Sequence, residues 1–224
     1  MTAAGPVDAP LGVALLWAGS YLLGGVPVGW LVGRAVGVDL RRVGTGKIGT
    51  SNVYRTVGLA PAALVGPLQF AQGLAPVVTA DLLGGPTWVV AGAGLMAVIG
   101  NGWPFYFRYN GGRGVATATG AVALWSWIGL GCVLVLLAVG GALRRSGLGV
   151  LMAYLSLPVV LAASRDPRAY SITSVGVLLC LLLRRFEGYR IWPLGERDPG
   201  DDWRRRLVDD WRPGPEEPDR RIHS

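Results

Sequence analysis

The sequence predicts an all-α integral membrane protein of about seven transmembrane segments. Three observations carry that expectation. Hydrophobic residues make up 51% of the 224 residues, and the mean hydropathy is +0.43. The chain holds 35 glycines and 9 tryptophans, residue types over-used in membranes for close helix approach and interface anchoring. Its Lys and Arg sit in short clusters between long apolar runs. The length suits one domain.

The net charge of +7 is unevenly placed. From Arg184 onward ten bases balance ten acids, which leaves 11 of 21 bases and 4 of 14 acids in the body. A nucleic-acid surface would need a continuous basic stripe, so nucleic acid is excluded as a partner. Basic loops between apolar runs suit cytoplasmic loops near anionic lipid, or loops that hold anionic substrates. Cys132 and Cys180 each lie inside an apolar run and form neither a disulfide framework nor a metal spacing. The one histidine is His223, so a His-based triad or metal site in the body is excluded. No metal and no cofactor is expected.

The segments follow in order. Leu11–Val36 is the first span. Its bases (Arg34, Arg41, Arg42) follow rather than precede the apolar run, which reads as an uncleaved span with the N-terminus outside. Asp39–Arg55 is a polar loop. Leu59–Leu83 is the second span, and Gln69, Gln72 and Asp81 predict that it faces a cavity or partner helices. Gly84-Gly85-Pro86 turns the chain, and Trp88–Ile99 is a short third segment. Gly100–Thr117 is a second polar loop whose aromatics read as an interfacial belt. Val115–Leu143 is apolar over 29 residues, long for one crossing and short for two.

Charge parity decides that last case. A single crossing would put Arg144, Arg145 and the basic start of the tail outside, against the positive-inside rule. A hairpin broken near Trp127-Ile128-Gly129 puts both clusters inside. Leu148–Ala163 and Tyr170–Leu183 complete seven segments, with both glycine-rich loops and the C-terminus cytoplasmic. Residues 1–196 form the polytopic domain. Residues 197–224 are expected to be a charged, disordered cytoplasmic tail, in which Trp203–Trp211 suits a short amphipathic piece on the membrane surface.

Two stretches carry the chemistry. The first is Gly44-Thr45-Gly46-Lys47-Ile48-Gly49-Thr50-Ser51-Asn52-Val53-Tyr54-Arg55. Glycines admit positive φ and close ligand approach, successive N–H groups form an anion-binding concavity, and Lys and Arg add charge. The Gly-x-Gly-x-x-Gly string lacks the strand and βαβ context of a dinucleotide fingerprint, and Ile48 stands where a phosphate-loop lysine needs Ser or Thr. The second stretch ends in Gly111-Gly112-Arg113-Gly114, read as a second anion nest opening a helix. The ordinary alternatives are a solvated interhelical loop, a helix N-cap for Asn52 and a positive-inside charge for Arg113. Two phosphate-type loops on one membrane face favour a site. A surface enzyme acting on phosphorylated ligands, an anion transporter and a non-catalytic binding protein all remain open. A transporter would be expected to show repeated halves, and no internal repeat is visible.

These motifs resemble those of the acyl-phosphate-dependent glycerol-3-phosphate acyltransferases, the PlsY family. Its members carry Gly-Ser-Gly-Asn-x-Gly-Ala-Thr-Asn-x-x-Arg, matched by residues 44–55. They carry Gly-His-x-Phe-Pro and then Lys-Gly-Gly-Lys-Gly-Val-Ala-Thr, matched by Gly100–Pro104 and by Asn110–Thr117. Their third motif, His-Arg-x-Asn-Ile-x-Arg-Leu with a later Glu, falls weakly on Arg184–Ile191 and Glu196. The second motif's His is Asn101 in this chain, the third motif's His and Asn are Arg184 and Glu187, and polar positions of the second helix fall on Gln69 and Gln72.

The resemblance implies a seven-helix fold and transfer of an acyl chain from acyl phosphate to glycerol 3-phosphate, giving lysophosphatidic acid and phosphate. It implies membrane lipid surroundings, a multi-pass protein of the plasma membrane, and substrate-assisted proton removal. A divergent member with altered or lost activity is the alternative, and the sequence carries no signal for an oligomeric state. By this reading Arg55 and Arg113 bind phosphate and Lys47 adds point charge, while Thr45, Ser51 and Asn52 orient phosphate or substrate hydroxyls. Gly44, Gly46, Gly49, Gly111, Gly112, Gly114, Thr117 and Arg190 complete the phosphate cradle.

Overall fold

The computed structural model describes residues 9–187. Nine α-helices cover most of them, and no strand occurs among the described residues: α1 (Pro10–Gly25), α2 (Val28–Ala35), α3 (Thr50–Thr56), α4 (Leu59–Leu82), α5 (Thr87–Gly102), α6 (Val115–Trp125), α7 (Trp127–Ala142), α8 (Ser146–Ala163) and α9 (Arg168–Phe186). Five stretches are long and apolar enough to cross a membrane, and α6 and α7 are shorter apolar helices. Arg190, Glu196, the tail and its Trp203–Trp211 piece lie outside the described residues.

The first span is two helices rather than one. Pro27 lacks an N–H and disfavours helical backbone at Val26, so α1 ends at Gly25 and α2 restarts at Val28. The break leaves carbonyls that the helix no longer satisfies. Buried Gln72 on α4 donates its Nε2 to Leu23 O at 2.8 Å and to Val26 O at 2.9 Å. One polar residue of the second span thus braces a helix break.

The long apolar run after residue 115 is a hairpin. Ser126 is extended, with φ −163° and ψ 125°, and its Oγ accepts the Gly129 N–H at 3.2 Å. A serine that caps the next helix ends α6 one residue before the expected break. Val115 at the start of α6, Leu137 near the end of α7 and Ser146 at the start of α8 line one cavity, so the chain reverses between them. The 11 and 16 residues of α6 and α7 reach about 16 and 24 Å, each less than the roughly 30 Å hydrocarbon core.

Close glycine contacts set the helix spacing. A Cβ at Gly73 would sit 1.8 Å from Thr117 O, and one at Gly120 would sit 1.9 Å from Phe70 O. Backbones of α4 and α6 therefore touch, as membrane helices do when packing rather than hydrophobic exclusion joins them. The main core runs through Val77, Val90, Val122, Trp125, Tyr154 and Leu157. A second cluster of Leu40, Ile48, Val53, Ala62 and Val65 anchors the first polar loop to α3 and α4.

Candidate active site

The 36–49 loop is held by one amide. Asn52 is 2% exposed. Its Oδ1 accepts the Thr45 N–H at 2.9 Å. Its Nδ2 donates to the carbonyls of Leu40, Val43 and Lys47 at 3.3, 3.2 and 2.9 Å. Gly44 and Gly46 take φ of +59° and +65°, and a Cβ on Gly44 would meet Asn52 Oδ1 at 2.2 Å. The glycines and Asn52 thus build one turn. This corrects two expectations for Asn52. Its amide is occupied by the loop rather than turned to a substrate hydroxyl, and the cap position of α3 belongs to Gly49.

The loop docks on its neighbours through two more side chains. Thr50 Oγ1 donates to Gln69 Oε1 at 2.9 Å, and Gln69 Nε2 reaches Ile48 O at 3.4 Å. Buried Lys47 reaches Asn110 Oδ1 at 3.5 Å and so bridges to the second glycine-rich loop.

The second loop departs from the expected nest. The Gly111 N–H donates to Gly102 O at 3.1 Å and the Gly112 N–H to Asn101 O at 3.0 Å. Those two donors are satisfied by the protein, so Gly111 and Gly112 shape the loop and do not face a phosphate. Their small size is required because a Cβ at Gly111 would lie 2.1 Å from Asn101 O. Gly114, at φ +79°, ends the turn and starts α6.

One cavity of about 600 Å³ gathers the two loops and residues of six helices, α3, α4, α6, α7, α8 and α9. Its polar wall holds Lys47, Arg55, Arg113 and Arg185, with the hydroxyl residues Thr45, Thr50, Ser51, Thr119 and Ser146. Its other wall is apolar: Pro67, Phe70, Leu134, Leu137, Val150 and Leu181. Among the described residues no Asp or Glu lines it. Lys47 and Arg185 are 7% and 8% exposed, Arg113 is half-buried and Arg55 is exposed. Four cations, with no carboxylate among the described lining residues, make a site for more than one negative charge.

Of the sequence-predicted residues, Thr45, Lys47, Gly49, Ser51, Asn52, Arg55, Arg113 and Gly114 reach this cavity. Gly44, Gly46, Gly111 and Gly112 support it from behind. Thr117 is fully buried in α6 with its carbonyl against Gly73, away from the cavity. Arg185 is the cation that sequence reading missed. It lies four positions after Leu181, another lining residue, so the apolar periodicity of α9 already carried its side chain to this face.

The described chain resembles known proteins over most of its length. The family model described as glycerol-3-phosphate acyltransferase matches residues 14–190. A glycerol-3-phosphate acyltransferase of Rubrobacter xylanophilus is 41% identical over 171 residues, covering 76% of this chain and 86% of that protein. One from Synechococcus sp. strain CC9902 is 39% identical over 172 residues, covering 76% and 86%. The crystal structure of PlsY (YgiH), an integral membrane glycerol 3-phosphate acyltransferase, in its glycerol 3-phosphate form matches with a TM-score of 0.73 at 32% identity, over 78% of this chain and 88% of that one. Its lysophosphatidic acid form matches with a TM-score of 0.71 at 30% identity, over the same shares of the two chains. With that match in sequence and in helical architecture, this chain belongs to the glycerol-3-phosphate acyltransferase family of integral membrane proteins.

Proposed function

We propose that the protein transfers the acyl group of an acyl phosphate to glycerol 3-phosphate at the cytoplasmic face of the plasma membrane, giving lysophosphatidic acid and inorganic phosphate. The observation that carries this reading is the two-sided cavity. Four cations line one wall and an apolar groove between α4, α7, α8 and α9 lines the other. A phosphorylated head group and an acyl chain need that pairing.

The chemistry follows from the lining. A hydroxyl oxygen of glycerol 3-phosphate attacks the acyl carbonyl carbon, and an ester C–O bond forms. The bond from that carbon to the phosphate oxygen breaks, and inorganic phosphate leaves with the bonding pair. Among the described residues no histidine or carboxylate lines the cavity, and a phosphate oxygen of the acyl donor takes the hydroxyl proton. The cations hold two phosphates together and stabilise the leaving group, while the walls orient the reactants. Arg55 and Arg113 supply forked contacts to phosphate oxygens, and Lys47 and Arg185 add charge. Thr45 and Ser51 orient phosphate or glycerol oxygens, and Asn52 holds the loop that presents them.

In the membrane we place the N-terminus outside, with seven crossings and both glycine-rich loops inside. The Lys/Arg distribution supports this placement. The decisive experiment supplies detergent-purified protein with acyl phosphate and glycerol 3-phosphate. Release of phosphate together with lysophosphatidic acid is expected. Glycerol 3-phosphate binding without turnover would replace this reading with a non-catalytic homologue.

A further inference from the structure

Arg184 sits 4% exposed at the end of α9, yet it does not line the cavity. Its Nη2 donates to Gly111 O at 2.9 Å and its Nε to Gly112 O at 3.2 Å. Its Nη1 pairs with Glu187 one turn on. Its guanidinium lies 5.4 Å from the Trp103 ring centroid, and Trp103 Nε1 donates to Glu187 Oε1 at 2.7 Å. One buried cation is thus satisfied by two carbonyls, a carboxylate and an aromatic face, as burial of charge requires.

The chain neighbours of these fastened atoms are both cavity cations. Arg113 follows Gly112 directly, and Arg185 follows Arg184 directly. We propose that Arg184 is a positioning residue: it ties the Gly111–Gly112 turn to the end of α9 and so sets Arg113 and Arg185 at a fixed separation across one cavity. A planar fork is suited to this task. It can meet two successive carbonyls and a carboxylate in one plane, which an ammonium cannot. The inference rests on the acyltransferase reading for its substrate but not for its geometry, since any ligand with two anionic groups would meet the same two cations.

The test uses the full chain in detergent and Arg184→Gln, with thermal midpoint and monodispersity measured beside kinetics. At a temperature well below the midpoint, Arg184→Gln is expected to lower kcat/KM tenfold or more, through a raised KM for at least one phosphorylated substrate. Arg184→Lys is expected to recover less than half of that loss. The discriminating variant is Arg113→Ala with Arg185→Ala. If Arg184 acts through these two residues, adding Arg184→Gln to that pair changes kcat/KM by less than twofold, because coupled sites are not additive. A further tenfold loss in that background, or full activity in Arg184→Gln alone, overturns the proposal. If Arg184→Gln gives no monodisperse protein, Arg184→Lys takes its place in both comparisons. Glycerol 3-phosphate affinity is measured on the same proteins. A wild type that binds without turnover sinks the acyltransferase reading alone, and an unchanged Kd in Arg184→Gln would then sink the positioning role.

Discussion

Asn52 accepts the backbone N–H of Thr45 at 2.9 Å and donates to the backbone carbonyl of Lys47 at the same distance. One side chain therefore closes the turn that presents Thr45 and Lys47 to the cavity. Asn52→Ala leaves a buried N–H and several carbonyls without partners, at about 1–3 kcal/mol for each group that water cannot reach. Asn52→Asp is expected to be worse, since it turns a carboxylate toward three carbonyls. Both variants should lower the thermal midpoint and the activity together. A stable Asn52→Ala with wild-type midpoint would show that the loop holds itself.

Arg55→Ala and Arg113→Ala remove charge-assisted contacts to phosphate, each with a loss on the order of 1.5–3 kcal/mol in kcat/KM. Arg113 is half-buried and Arg55 exposed, so solvent screens the latter and its loss should fall at the lower end. Arg→Lys should recover little at either position. Full activity in both Ala variants would refute the phosphate assignment.

Topology is tested by cysteine labelling in intact cells after replacing Cys132 and Cys180 by Ser. An impermeant maleimide should label cysteines placed at Gly85, Trp127 and Arg165, and should leave those at Tyr109 and Arg144 unlabelled. Labelling at Arg144 but not at Trp127 would mean that α6 and α7 do not form a membrane hairpin.

The described residues that line the cavity lie between Thr45 and Arg185. Truncation after Asp198 is therefore expected to keep folding and at least half of wild-type activity. Loss of membrane-inserted protein on truncation would show that the charged tail packs on the bundle.

Asp39 accepts Nε and Nη2 of Arg41 at 2.9 and 2.8 Å. Hydrogen bonds from that guanidinium hold its pKa down at about 2, against 3.8 ordinarily. The folded state thus resists protonation more than the unfolded chain does. The pair's stabilisation is complete above about pH 4 and fades as pH falls toward about 2, where the folded carboxylate takes its proton. Asp39→Asn should flatten this acid limb and lower stability at neutral pH by roughly 1 kcal/mol, since the pair is partly screened. Denaturation midpoints between pH 6 and 2.5 measure it, and parallel curves for the two proteins would assign the acid limb elsewhere.

The helix break at Ser126 was legible from the length of the apolar run, and the two cation loops were legible as strings. The break at Pro27 is also a local signal, yet it was read as one span because both halves are apolar. Gln69 and Gln72 stood out as polar residues in a span. Gln69 lines the cavity and also reaches Ile48 O, while Gln72 braces Leu23 and Val26; those partners lie on other elements.

By itself the sequence determined the membrane class, the segment order, the glycine turns and most of the cations at the site. Hydropathy, proline and glycine act over a few residues, so their effects are written locally. Only the tertiary structure decided which polar groups line the cavity and which are occupied by the protein. The N–H groups of Gly111 and Gly112 go to α5, and their carbonyls go to Arg184, which follows Gly112 by 72 residues in the chain. Arg185 instead reaches the cavity. No local pattern specifies partners at that separation, because helix packing brings them together.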